Sequence, residues 1–329
     1  MVRSLKTTVS CIALALAVPY AAIAADLSTA KSGVVASTTQ TQNAIAAKAN
    51  NKAVQEQQDQ TAQRRKQISA EAMAAIAETR NALIALDAGK KDDALAALER
   101  ATGKLELILA RDPNLALAPT NVEAVTVNVM ADTDKVKAMR AEAQRLLDDG
   151  QVQAARHLLD GLASETVINV SNIPLATYPA AIKQAVKFVD DGKLDAAKQN
   201  LQTALNTLVV KSNIIPLPVV AAQQMLVEAD KLSAKSNRKP NENQRLNDLL
   251  NGARTQLEFA EALGYGTHQD FQGLYAQLDG IKSKTTNGQS GNGFFESIKS
   301  SLSDLVKSIQ SAADNISAAG QAKNSTNSN

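Results

Sequence analysis

The sequence predicts a mainly α protein of repeated antiparallel helix hairpins, with a few short β-strands and a tethered C-terminal amphipathic helix. Three observations lead there. Only 3 % of the 329 residues are aromatic and none is Trp, so the core has to be built from Ala, Leu, Val and Ile, which suits close-packed helices. A glycine-centred pattern occurs three times along the chain. An apolar seam at helical spacing lies near the C-terminus.

The repeat appears when Gly89, Gly150 and Gly192 are superposed. Two positions earlier stand Asp87, Asp148 and Asp190, and seven earlier Ala82, Ala143 and Ala185. Five positions later stand Ala94, Ala155 and Ala197, nine later Leu98, Leu159 and Leu201, and 24 later Pro113, Pro174 and Pro216. One such match in an Ala-rich chain means little; six without a gap define a repeat. Each copy reads as a hairpin. The glycine ends the first helix in the left-handed conformation. The Asp helps to cap the second helix. The alanines let the helices approach, and the Leu with the Ala four residues before it lies on the buried stripe. The proline marks where helix stops.

Strand patterns flank these prolines. Thr166 to Val170 precedes Pro174, and Leu208 to Val210 precedes Pro216, with Ile214 and Ile215 between. In the first copy Val125, Val127 and Val129 alternate with Thr126 and Asn128 after Pro113, the signal of a half-buried strand. Each hairpin is thus expected to give one short strand to a small sheet. Pro179 and Pro218 suit the first turns of following helices, and further helices are expected near 219–236, 242–263 and 268–281.

The ends differ from this body. Residues 1–25 read as a signal peptide: Arg3 and Lys6, the apolar run Ile12 to Val18, and Ala22-Ile23-Ala24 as the cleavage site. That run is shorter than the roughly 20 residues a membrane span needs, so no integral membrane segment is expected in the mature chain. Cys11, the one cysteine, leaves with it, which rules out a disulfide or a thiol nucleophile. Residues 26–66 are polar and Ala-rich and read as low-complexity chain passing from disorder into a solvated helix. The repeat domain is expected over 67–282, a flexible linker of Gly, Ser, Thr and Asn over 283–293, an amphipathic helix over 294–319 and a disordered tail over 320–329. In that helix Phe295, Ile298, Leu302, Leu305 and Ile309 recur at spacings of three and four, a heptad seam. Its partner is left open between the chain's own body, a second copy and a client.

Catalytic chemistry finds little support. With Arg3 and Lys6 gone, basic side chains equal the 33 acidic ones, so the net basic footprint of a nucleic-acid binder is missing. His157 and His268 are the only histidines; neither has a second His or a Cys at ligand spacing. The pairs Asp92-Asp93, Asp148-Asp149 and Asp190-Asp191 fall at helix turns, where capping accounts for them. No catalytic residue, cofactor site or metal site is assigned, and the chain is expected not to be an enzyme.

The Gly-x4-Ala opening of each second helix is similar to a tetratricopeptide repeat, but the spacings of 61 and 42 residues between glycines do not match its period of about 34. Another likeness goes further. Leu158-Leu159-Asp160, Pro174-Leu175-Ala176-Thr177-Tyr178-Pro179-Ala180-Ala181, Asp190-Asp191-Gly192, Leu205 to Val210 and Ile215-Pro216-Leu217-Pro218 together resemble the YfdX family, over about residues 68–280. The resemblance implies a bacterial periplasmic protein associated with acid, heat and other envelope stress, and it brings no catalytic residues. The function expected is chaperone-like binding of protein partners or clients, with self-association into a homo-oligomer as a further expectation. The alternative is a carrier with a small-ligand pocket between helix hairpins.

Overall fold

The computed structural model describes residues 32–66, 69–291 and 293–326. The expected signal peptide with Cys11, residues 26–31 and residues 327–329 lie outside the described residues. The chain divides into two compact units, residues 1–39 and 40–329. Of the first unit the structure describes Ser32 to Thr39, the opening turns of α1 (Ser32–Lys66). Everything that follows concerns the second.

The three glycines make the same turn three times. Gly89, Gly150 and Gly192 have φ of 70°, 73° and 77°, where a side chain would be strained. In each turn the residue after the glycine donates its N–H back across the helix end: Lys90 to Ala85 O, Gln151 to Leu146 O, Lys193 to Phe188 O. This is the Schellman closure, which satisfies carbonyls the helix end leaves over. The hairpins are α2 (Ala70–Asp87) with α3 (Lys91–Arg111), α4 (Thr133–Asp148) with α5 (Val152–Leu159), and α6 (Tyr178–Asp190) with α7 (Leu194–Asn206). Against expectation, Asp87, Asp148 and Asp190 end the first helices and do not cap the second ones. The turn reverses the chain after them, and Lys90, Gln151 and Lys193 take the cap positions without a side-chain bond.

Each hairpin is followed by a strand: β1 (Leu117–Val127), β2 (Glu165–Pro174) and β3 (Val209–Pro216). They form an antiparallel sheet in the order β1-β2-β3. Pro113 does stop a helix, just after α3, but Pro174 and Pro216 end strands, because in the later copies the strand precedes the proline. β1 starts eight residues before its valine alternation. It takes in Pro119, which an edge strand tolerates, and its register slips between Pro119 and Asn121.

Antiparallel order sorts the hairpins to two ends of the sheet. Leu117 pairs with Pro174 and Asn172 with Val209, so hairpins one and three sit at one end. Val127 pairs with Glu165 and Glu165 with Pro216, so hairpin two and the chain after β3 sit at the other. At the first end α2 packs on α7 and α3 on α6 in one aliphatic core that includes Leu86, Leu98, Val189 and Leu201. Tyr178 is fully buried there, and its hydroxyl donates to Thr79 Oγ1 at 3.0 Å. The second core is made by α8 (Leu217–Ser233), α9 (Pro240–Leu263), α10 (His268–Lys284), α11 (Glu296–Thr326) and one stripe of α1. Between the cores one sheet face, with Val122, Ile168, Val170 and Ile215, meets Ala53 and Val220.

Three expectations are corrected here. The polar segment before residue 66 is no solvated helix in its described part. Ile45, Ala49, Ala53, Gln57 and Thr61 are buried at intervals of four, a stripe too narrow and too polar to stand out in the sequence. The segment 283–293 is no flexible linker. Gly291 donates its N–H to Ser233 O, and a Cβ on Gly291 would come 2.6 Å from Thr285 Cγ2. Arg238, 5 % exposed, holds this bend through the carbonyls of Ser233, Lys235, Thr285 and Gln289 at 2.7–2.8 Å. The terminal helix is therefore built in rather than tethered, and it continues to Thr326, through residues expected to be a disordered tail. Phe295, Ile298 and Leu302 are fully buried, Leu305 is 6 % exposed, and Ile309 packs at the margin of the same core. The seam's partner is the chain's own body.

Two outcomes follow for stability. Space is open around the added Cβ at Gly150 and Gly192, so Gly150→Val and Gly192→Val isolate the backbone effect. Each should lower stability by roughly 1 kcal/mol, read as a drop in thermal midpoint. Leu302→Asp puts a carboxylate into the second core and should cost on the order of 3 kcal/mol or more. Hydrogen exchange should show α8–α11 losing protection before α2–α3 and α6–α7.

Candidate protein-binding surface

The two outer edges of the sheet are treated differently. At β3 the side chain of Gln310 on α11 acts as a stand-in strand. Its Oε1 accepts from Ile214 N at 3.1 Å and its Nε2 donates to Ser212 O at 2.7 Å. That is the two-way exchange a neighbouring peptide would make, and it closes the edge. At β1 the first residues are covered by α2, where Ser69 N donates to Pro119 O. From Glu123 to Val127 every residue but Ala124 and Thr126 carries a side chain of size open to solvent, and all five are exposed. Among the described residues no backbone group bonds to the outer side of this stretch.

Beyond Glu123 the exposed stretch is mostly apolar. Val125 and Val127 are 47 % and 41 % exposed, and Met130, just past the strand, is 94 % exposed. Their alternation places Val125 and Val127 on the face away from α1, opposite Val167 and Glu165. The other face is anchored: Thr126 Oγ1 and Thr166 Oγ1 are 2.7 Å apart, and the Thr166 hydroxyl donates to Gln57 Oε1. The strand is thus held rigidly from one side while its edge and opposite face stay open. Such an edge can bind an extended peptide by strand addition, with backbone bonds supplying affinity and alternate side chains selectivity.

The other sequence-derived candidates fall elsewhere. His157 is exposed on α5. His268 opens α10 with its Nδ1 2.6 Å from Glu261 Oε1 and its Nε2 2.7 Å from Gln272 Nε2. Asp92 and Asp93 lie in the first turn of α3, Asp149 pairs with Arg145 at 2.7 Å, and Asp191 pairs with Lys193 at 3.3 Å. Among the described residues no group of three or more His, Cys, Asp and Glu is placed to hold a metal ion. A cleft of about 250 Å³ lies between α1, β3, α8 and α11, lined by Glu56, Gln57, Gln223, Asn213 and Lys307 among others. Another of about 340 Å³ lies on the outside of α2–α3 beside Ile84, Asp93 and Arg100. Among the described residues no helix is long and apolar enough to cross a membrane.

The glycine hairpins and their strands coincide with a known family. Residues 75–214 match the family described as YfdX protein. This stretch, less than half of the chain, is similar to the YfdX family. The match is narrower than the 68–280 expected, and it leaves α8–α11 outside. The matched stretch therefore contains most of the first hairpin, the other two hairpins, β1, β2 and most of β3, whereas Gln310, which closes β3, comes from beyond it. A solved crystal structure of Salmonella Typhi YfdX is 17 % identical, with 46 % of this chain and 93 % of that chain covered and a TM-score of 0.32. Among curated proteins none matches.

The surface near the second hairpin carries an acid-sensitive contact. Burial pushes the Glu261 carboxyl up, but the hydrogen bonds from His268 and Tyr275 outweigh it, and its pKa lies below the ordinary 4.5. A lowered folded-state pKa contributes stability that is fully present above the unfolded value and is lost as pH falls through the folded one. Glu261→Gln should therefore flatten the loss of stability below about pH 4.5, seen as a smaller separation between midpoints at neutral and acid pH than in the parent protein.

Proposed function

We propose that this is a non-enzymatic protein of the bacterial periplasm that contributes to acid and heat tolerance by holding partner proteins, with no cofactor. The observation that carries the binding part is the open outer edge of β1 from Glu123 to Val127, with Val125 and Val127 exposed, across the sheet from a β3 edge closed by Gln310. Proteins usually protect edge strands with charge, proline or a covering element, as α11 does here for β3. An edge left open with Val125, Val127 and Met130 exposed suits the segments that partly unfolded proteins display: extended, apolar and with free backbone groups. The similarity of residues 75–214 to the YfdX family supports the stress role that this resemblance implies, and the N-terminal pattern supports export.

The test is suppression of aggregation of a heat- or acid-denatured model protein. The double variant Val125→Lys, Val127→Lys adds charge to the edge while leaving Val122, Ile168 and the anchoring Thr126 unchanged. It should keep its helical circular dichroism and lose at least about threefold in suppression, since weakening a contact by about 0.7 kcal/mol changes occupancy by that factor. Equal suppression by a correctly folded variant would show that clients are held elsewhere or not at all.

A further inference from the structure

The second hairpin is built like the other two but has no hairpin to pack against. In the first core the contact between hairpins runs crosswise: the first helix of one meets the second helix of the other, α2 on α7 and α3 on α6. That is the arrangement a twofold axis produces. The two hairpins are related within one chain as two copies of a subunit would be in a symmetric dimer. Hairpin two is sent to the opposite end of the sheet by the antiparallel strand order, out of reach of its two relatives.

Its contact positions nevertheless match theirs. Through the glycine alignment, Leu86 and Val189 correspond to Leu147, and Leu98 and Leu201 to Leu159. The four counterparts are at most 2 % exposed, whereas Leu147 is 40 % and Leu159 44 % exposed. Val152, which corresponds to Lys91 and to the core-packed Leu194, is 54 % exposed. The expected burial of Leu159 thus fails for want of a partner, not for want of an apolar residue. One charge pair corresponds as well. Among the described residues two ion pairs join the packed hairpins, Lys198 Nζ to Asp87 Oδ1 at 3.2 Å and Lys183 Nζ to Glu106 Oε1 at 2.7 Å; the second has no counterpart in hairpin two, where Ala141 and Val167 stand at those positions. The positions of Lys198 and Asp87 are held in hairpin two by Arg156 and Asp148. Both are exposed; Arg156 Nε lies 3.8 Å from Asp160 Oδ2 and Asp148 Oδ1 accepts from Gln144 Nε2 at 2.9 Å, surface contacts that reciprocal pairing replaces if two such hairpins meet. The base of the hairpin is fixed separately, by Arg140 donating to Glu261 O and Ala262 O at the end of α9.

We propose that the outer half of hairpin two is a homodimer interface, in which a second copy of the chain supplies the missing hairpin: α4 packs on the partner's α5 and α5 on the partner's α4. Leu147, Val152 and Leu159 form its centre, and Arg156 of each copy faces Asp148 of the other. The occupant is a second copy rather than an unrelated protein because the chain itself shows what surface fits this pattern, including one of its two charge pairs. The interface is separate from the β1 edge, and it does not depend on the client-binding reading.

The test is the mass of the full protein by sedimentation and light scattering over a range of concentration. The parent protein should be a dimer that dissociates on dilution. Leu147→Glu, Leu159→Glu should give monomer at every concentration with unchanged helical content. Arg156→Asp should raise the dissociation constant at least about tenfold, by setting two carboxylates against each other. Arg156→Asp with Asp148→Arg should restore the dimer, because exchanging the charges in both copies recreates the pair. A parent protein that is monomeric throughout overturns the proposal. So does a dimer whose mass is indifferent to the leucine variant, or an Arg156→Asp defect that the charge exchange does not rescue. Aggregation suppression measured on the leucine variant separates the two readings, since loss of the dimer leaves the β1 edge intact.

Discussion

The packing of the first hairpin against the third is the contact on which the remaining architecture depends. It places Leu86, Leu98, Val189 and Leu201 in one core and so brings the starts of β1 and β3 and the end of β2 to the same end of the sheet. Once those strands lie side by side, antiparallel pairing sends everything between β1 and β2, and everything after β3, to the far end. The second core, the position of hairpin two and the exposure of its leucines are consequences. The glycine turns make that contact reachable: a left-handed residue closes each helix within a few residues, and the returning helix lies against its neighbour through alanines.

The sheet joins the two cores without being large enough to stand alone. Three strands with one covered face are close to the minimum for a stable sheet. Support comes from the buried stripe of α1 on that face, where Ala53 meets the strands and Gln57 accepts a hydrogen bond from Thr166. The terminal helix supports it from the side. Gln310 binds the β3 edge while Phe295, Ile298 and Leu302, roughly two to four turns earlier, anchor the helix in the second core. The bend that aims this helix rests on Arg238 and on the absence of a side chain at Gly291. A buried guanidinium satisfied by backbone carbonyls is sensitive to the position of every carbonyl it binds, so the bend is fixed with little freedom.

The distribution of apolar exposure divides the molecule by role. At the first end of the sheet, aliphatic side chains at the hairpin contact positions are buried by another hairpin. At the second end the same positions are open, and so is the outer part of β1. Both open features belong to the YfdX stretch, while the elements that cover β3 lie outside it. The added helices therefore close one side of the sheet and leave the other open.

The local pattern was legible in the sequence, and its reasons are local too. Gly89, Gly150 and Gly192 mark turns because only glycine enters the left-handed region without strain, and the valine alternations mark strands because side chains alternate across a pleat. The terminal seam was legible for the same kind of reason, as a helical periodicity. What lay beyond the sequence was which surfaces meet. Leu98, Leu159 and Leu201 occupy equivalent positions, yet two are buried and one is open, because strand order decides which hairpins come together. Ala53, Gln57 and Thr61 carry no hydrophobic signal but are buried. The Gly, Ser, Thr and Asn residues after Ser283 have the composition of a flexible linker, and the segment is fixed because Arg238, far earlier in the chain, binds the carbonyls of Thr285 and Gln289 while Gly291 donates its N–H to Ser233 O. Sequence by itself determined the elements and their periodicity, which depend on each residue's own conformational preferences. The tertiary structure decided burial and exposure, which depend on partners distant in the chain.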